Sequence, residues 1–165
     1  MIEKIYSPLV DVLHRLENIA LISALISMLG IAVLQIILRN FLDSGFLWAE
    51  SFLRILVLWV AMLGAMVATR EKNHISIDAL SRYLSQPFQK GARLLTNLFS
   101  AAICGTVAWY SFAYVQLEYE DHAIAFLDVP TWVCQTILPF GFAVIALRFV
   151  ISVIESLVES LMGKD

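Results

Sequence analysis

Two oppositely charged residues stand inside a strongly apolar stretch of this chain. Glu50 and Arg54 lie within FLWAESFLRILVLWVAMLGAMVATREKNH, residues 46–74, and are one helical turn apart. A charged side chain at the bilayer centre costs roughly 2.5–3.5 kcal/mol on insertion scales, so such residues are usually paired or turned toward protein. Glu before Arg at i,i+4 is the favourable order for an ion pair on one helix. This stretch therefore predicts a membrane helix that contacts protein.

The pair admits three interpretations. Arg54 would lie about 12 Å along the helix from Phe46, and Arg39 is near enough to join a polar network. An ion pair that fixes helix packing is favoured, ahead of a contact with a partner subunit and a path for a substrate or ion. Further along the same helix, Gly64 and Ala68 form a strip of small residues at which another helix can approach closely. Trp59 lies deeper, where helix or lipid packing is its natural role.

Other reactive residue types do not form a recognisable site. The sequence has no nucleophile elbow, no HExxH and no glycine-rich phosphate loop, so nothing points to an enzyme. The three histidines, at 14, 74 and 122, fall at water-facing positions and are not matched in depth, which disfavours a metal or haem site. Cys104 and Cys134 fall at different depths of the predicted membrane region and are expected to be free thiols.

The composition requires lipid as a solvent. Hydrophobic residues make up 60% of the 165 residues and charged residues 15%, against about 45–50% and 25% in soluble domains. The mean hydropathy is +0.81. The net charge of -3 and the absence of a basic block make nucleic acid an unsuitable partner.

The order of apolar and polar segments predicts an all-α integral membrane protein with four transmembrane helices in one domain. Amphipathic interfacial helices are predicted at residues 2–17 and at residues 75–88, the second one broken at Pro87. The predicted spans are residues 19–38, 46–69, 94–117 and 132–154. Pro139 in the last span predicts a kink rather than a break.

The charges of the loops set the orientation. The loop between spans two and three is rich in Lys and Arg, whereas residues 118–130 contain neither. The positive-inside rule then places both termini in the cytoplasm and the acidic loop outside. Tryptophans near the span ends are expected to anchor the chain at the membrane interface, in contact with lipid: Trp48, Trp109 and Trp132. The acidic loop carries four carboxylates that could dock a partner protein: Glu118, Glu120, Asp121 and Asp128.

Residues 39–78 carry a resemblance to a known family. The features that match are Arg39-Asn40, Trp48-Ala49-Glu50, Arg54, Trp59, Leu63-Gly64-Ala65, Ala68, Arg70 and His74-Ile75-Ser76-Ile77-Asp78. Later matches are Leu138-Pro139-Phe140-Gly141 and Leu147-Arg148-Phe149. In their order and spacing these residues resemble the small membrane subunit of tripartite ATP-independent periplasmic (TRAP) transporters, the DctQ-like family.

The resemblance implies a four-helix subunit in the bacterial inner membrane, paired with a large DctM-like membrane subunit. The large subunit is expected to hold the sodium and substrate sites, and a periplasmic binding protein to deliver an organic acid. This chain would then act as a scaffold without a cofactor of its own. Two alternatives are a membrane anchor of a redox complex and a small transporter that works alone as an oligomer.

Overall fold

Long runs of Leu, Ile, Val and Ala satisfy their backbone groups in lipid by forming helices. The computed structural model describes residues 3–42, 44–81 and 86–161. Its elements are α1 (Glu3–Phe41), α2 (Leu47–Ser81), α3 (Gln86–Asp121), β1 (Ile124–Phe126), β2 (Val129–Pro130), α4 (Thr131–Gln135) and α5 (Ile137–Leu161). Four stretches are long and apolar enough to cross a bilayer: Val12–Phe41, Leu47–Arg70, Gly91–Asp121 and Thr131–Val158. The predicted all-α membrane fold with four spans is confirmed.

The two predicted interfacial helices are not separate elements. Helix α1 continues without interruption from Glu3 into the first span, because no glycine or proline separates residues 2–17 from it. Residues 75–81 likewise continue α2. Pro87 does not end a helix but lies in the first turn of α3, where its missing N–H costs nothing. Residues 82–85 and the side chains of 75–87 lie outside the described part, and a surface position for either segment stays a prediction.

The helices pack in the order α1, α2, α5, α3. Helix α2 contacts α1 and α5, and α3 packs mainly on α5. The buried core lies between α2 and α5 and consists of Met62, Leu63, Met66, Ile137 and Ile145. From Val12 onward, most of the large apolar side chains of α1 are exposed. The folded chain therefore leaves much of its membrane-spanning surface to lipid or to other proteins.

The α1–α2 turn is held by one side chain. The Gln35 amide donates from Nε2 to the Phe46 carbonyl at 3.3 Å and accepts from the Phe46 N–H at 3.3 Å. A Cβ at Gly45 would lie 3.1 Å from Gln35 Nε2, so the smallest residue allows the amide to approach. A side chain near the end of α1 thus fixes where α2 begins.

The acidic loop contains a small hairpin that the hydropathy pattern does not predict. Strands β1 and β2 pair antiparallel, and Leu127 in the turn adopts a positive φ of 50°. Phe126 packs edge-on against Phe52 of α2, with ring centroids 5.1 Å apart. Tyr119 at the end of α3 packs against Trp132 of α4 at 5.4 Å. These aromatic contacts hold the hairpin against the ends of the spans.

Gly141 allows α5 to approach α2 closely, which predicts the effect of enlarging it. A Cβ at this position would lie 2.5 Å from Met62 Cε and 3.6 Å from Met62 Cβ. Gly141→Val is therefore expected to destabilise the fold by about 1–3 kcal/mol through overpacking, seen as a lower unfolding temperature of the purified chain in detergent. Gly30→Val is the matched control, because a Cβ there meets nothing within 4 Å. Equal unfolding temperatures for the two variants would contradict this packing.

Candidate functional site

Three charged side chains from three helices meet at the end of the bundle that carries the chain termini. Arg148 of α5 donates from Nη2 to Glu17 Oε1 of α1 at 2.6 Å. Arg70 at the end of the second span brings Nη1 to 3.8 Å from Glu17 Oε2. The Glu17 side chain is only 6% exposed, and both arginine side chains are 19% exposed. These residues form the buried ion cluster of the protein.

Hydrogen bonds to the backbone complete the buried ion cluster. Arg148 Nη1 donates to the Met66 carbonyl of α2 and lies 3.5 Å from Thr69 Oγ1. Arg70 donates to the His14 carbonyl at 3.4 Å and to Asn18 Oδ1 at 3.2 Å. Glu17 Oε2 has no hydrogen-bond donor among the described residues, so its partner there is the positive charge of Arg70. The cluster joins α1, α2 and α5 through hydrogen bonds and ion pairs, which require particular orientations of the side chains.

Sequence reasoning did not assign the buried ion cluster. Glu17 and Arg148 are separated by 131 positions, and the ion-pair spacing rules apply only within one helix. One signal was available, since Arg148 is the only charged residue between 132 and 154 in the fourth predicted span. An isolated charge of this kind needs a partner from another helix.

Trp59 has a more specific contact than general packing. Its indole Nε1 donates to the Cys134 carbonyl at 2.9 Å. The accepting Cys134 carbonyl lies just before the junction of α4 and α5. At the same junction Thr136 Oγ1 donates to the Val133 carbonyl at 2.7 Å. Pro139 has no N–H to donate in this turn. The sequence predicts that Pro139 kinks this span rather than breaking it; the helix is interrupted at Thr136, three residues earlier, where side chains donate hydrogen bonds to the local carbonyls.

Glu50 and Arg54 form the predicted ion pair, but it does not join helices within the chain. Arg54 Nη2 donates to Glu50 Oε1 at 2.6 Å. The two side chains are 74% and 77% exposed. Arg39 is exposed and makes no hydrogen bond or ion pair with them among the described residues. The favoured interpretation, a pair that fixes packing within this chain, therefore does not match the geometry.

The predicted packing and anchoring residues occupy different environments. Gly64 is half-buried, with open space beyond its Cα, and Ala68 is exposed. Trp48 is half-buried between Phe46 and Phe52, whereas Trp109 is 74% exposed. Interface anchoring by Trp48, Trp109 and Trp132 stays a prediction.

The four acidic residues gather at the end of the bundle that carries the hairpin. Glu120, Asp121 and Asp128 are exposed. Glu118 is half-buried and accepts a hydrogen bond from the Tyr114 hydroxyl at 3.0 Å. This end of the bundle therefore presents negative charge to solvent.

Metal-ligating residue types do not gather in the described ranges. Within residues 3–42, 44–81 and 86–161, no three His, Cys, Asp or Glu residues are placed to hold a metal ion. Cys104 and Cys134 are not joined in a disulfide, as the sequence predicts. His14 lies beside the buried ion cluster and contributes its carbonyl, whereas His122 is exposed near the hairpin.

Comparison with known proteins places this chain in a family. The family model for the DctQ component of tripartite ATP-independent periplasmic transporters matches residues 28–159 of this chain. The chain belongs to this DctQ family. The match includes Glu50, Arg54 and Arg148 but begins after Glu17. Relatives in the DctQ family are permease subunits of transporters and not enzymes.

Three relatives show how the DctQ region occurs in other proteins. The sialic acid TRAP transporter permease protein SiaT of Haemophilus influenzae is 34% identical over 74 residues, which are 45% of this chain and 11% of SiaT. The isethionate permease protein DctMQ of Oleidesulfovibrio alaskensis is 26% identical over 103 residues, 61% of this chain and 16% of DctMQ. The ectoine small permease protein TeaB of Halomonas elongata is 23% identical over 146 residues, 88% of this chain and 76% of TeaB. The matches therefore cover only a small part of SiaT and DctMQ.

The buried ion cluster predicts an asymmetric response to mutation in this DctQ-family chain. Glu17→Leu removes the carboxylate that the half-buried Arg148 and Arg70 both face and should destabilise the fold by about 3–5 kcal/mol. Arg148→Leu should cost less, because Arg70 still faces Glu17. The double variant Glu17→Leu/Arg148→Leu should be more stable than Glu17→Leu alone.

Unfolding temperatures of the purified chain in detergent test this order. Glu50→Leu is the control, because that carboxylate is exposed and should change the unfolding temperature little. A Glu17→Leu variant as stable as the parent would show that the cluster does not hold the helices together.

Proposed function

We propose that this DctQ-family chain is the small permease subunit that supports a large DctM-type subunit in the bacterial inner membrane. The main support is the family match over residues 28–159. In SiaT and DctMQ the matched region is 11% and 16% of a much longer chain. In those relatives the matching region is part of a larger permease. We therefore expect this chain to be a subunit that binds such a permease.

The large subunit is proposed to perform transport. Relatives of this chain are named for three different compounds, sialic acid, isethionate and ectoine. Selection of the substrate, a small organic acid, and coupling to sodium are therefore assigned to the large subunit. The buried charged groups of the described residues bond one another across α1, α2 and α5, which suits a rigid support.

The orientation follows from charge. The terminal end of the bundle carries Arg70 and Arg93, and the positive-inside rule assigns it to the cytoplasm. The acidic end with the hairpin then faces the periplasm. There it is proposed to help dock the periplasmic substrate-binding protein, with its carboxylates steering the encounter.

Co-expression and reconstitution test the proposed function. The tagged chain is expected to recover the large subunit from detergent-solubilised membranes, and vesicles should take up substrate only when both subunits and the binding protein are present. Uptake by vesicles that hold this chain alone would contradict the proposal and favour a transporter that works by itself. A haem Soret band in the purified chain would favour the redox anchor instead.

The acidic end predicts a salt-dependent docking defect. The variant combines Glu118→Gln, Glu120→Gln, Asp121→Asn and Asp128→Asn, which keep the side-chain size and remove the charge. At low salt the binding-protein concentration for half-maximal uptake should rise on the order of tenfold, the lower range for electrostatic steering. At about 0.5 M salt the difference should nearly vanish through screening.

A carboxylate near the other end of the bundle provides the control. Glu155→Gln, an exposed residue of α5, removes a charge away from the hairpin and should leave the concentration dependence unchanged. Parent-like docking by the fourfold variant at low salt would exclude a steering role for the acidic end.

A further inference from the structure

One stripe of α2 is left uncovered along its membrane-spanning part. Its members recur every three, four or seven positions, the spacing of a single helix face. The exposed stripe of α2 consists of Leu47, Glu50, Arg54, Val57, Ala61 and Ala68. Gly64 lies on the same face, and a Cβ there would meet nothing within 4 Å. The neighbouring helices α1 and α5 pack on the other faces of α2.

The charged end of the exposed stripe is poorly matched to hydrocarbon. Arg54 lies about 10 Å along the helix from Leu47, within a span that ends at Arg70. A guanidinium has five N–H donors, and in the described part of the chain its hydrogen bond is to Glu50 Oε1. Lipid tails offer no acceptor for the others. This end of the stripe requires hydrogen-bonding groups from another molecule.

The other end of the exposed stripe is flat, as is typical of a surface on which another membrane helix packs. Ala61, Gly64 and Ala68 present almost no side-chain volume over two turns. Small residues allow the backbones of two membrane helices to approach closely, which increases their van der Waals contact. A flexible acyl chain gains less from such a flat surface than a rigid helix does.

We propose that the exposed stripe of α2 binds a transmembrane helix of the large DctM-type subunit. That helix packs on Ala61, Gly64 and Ala68 and supplies a hydrogen-bond acceptor to Arg54. The inference rests on the proposed function, which provides the large partner without stating where it binds. A second copy of this chain is the weaker occupant, because DctMQ carries its matched region within a chain more than six times longer than that region.

Enlarging the flat part of the exposed stripe tests the contact. Gly64→Leu should reduce recovery of the large subunit on the order of tenfold, a loss of one decade in affinity, while the unfolding temperature of this chain is unchanged. Gly105→Leu in α3 is the matched control, because a Cβ at that helix glycine, as at Gly64, meets nothing within 4 Å. It should keep full recovery. Full recovery with Gly64→Leu would overturn the proposal.

The charged end gives a second, independent variant. Arg54→Leu removes the donors and leaves Glu50 facing the partner helix, so recovery of the large subunit should fall while the fold persists. Parent-like recovery with Arg54→Leu would mean that the pair faces lipid headgroups and would overturn the charged part of the contact.

Photocrosslinking identifies the occupant directly. A photoreactive p-benzoylphenylalanine at position 61 should crosslink to the large subunit in intact membranes, whereas the same residue at exposed position 102 of α3 should not. Crosslinking from position 61 to a second copy of this chain, or to lipid alone, would overturn the proposal. If the parent chain fails to recover any large subunit, the proposed function fails instead, so the two outcomes are distinct.

Discussion

The arrangement of the helices depends on placing Glu17 between Arg70 and Arg148. In lipid the hydrophobic effect gives little force between helices, so association relies on close packing and on polar contacts. A carboxylate that is 6% exposed needs counter-charges at fixed positions. Because these come from α2 and α5, α1 cannot slide or rotate without separating charges. The cluster therefore specifies how α1 sits against the bundle, although α1 buries little of its own apolar surface.

Two other polar contacts, both toward the hairpin end of the bundle, repeat this logic. Gln35 bonds both backbone groups of Phe46 and fixes the entry into α2. Trp59 donates to the Cys134 carbonyl beside the interruption between α4 and α5. This hydrogen bond connects the second span to the fourth. In each case the donor and acceptor belong to this chain. The pair of Glu50 and Arg54 differs, because it is formed within one helix and faces outward.

The sequence predicts features that depend on neighbouring residues, and it does not predict contacts between residues that are far apart in the chain. Span positions follow from hydropathy, and the Glu50–Arg54 pair follows from i,i+4 spacing. The partner of Arg148 could not be found in this way, because only the packing of both α1 and α5 against α2 brings Glu17 within 2.6 Å of Arg148. The hairpin escaped detection because Ile124–Phe126 and Val129–Pro130 are too short to show alternation. Pro87, predicted to break a helix, lies in the first turn of α3, because proline can equally begin a helix.

The contrast between the two sets of charges explains how a small membrane subunit can serve as a support. A support must keep its shape when its partner moves, so the contacts that set its fold should not depend on that partner. The buried ion cluster meets this condition, since its charges lie on α1, α2 and α5. A contact face must instead offer groups that remain incompletely bonded until the partner binds. The outward donors of Arg54 meet that second condition. They lie on α2, the helix that packs against both α1 and α5, so a partner helix bound there would contact the helix that the cluster ties to its two neighbours.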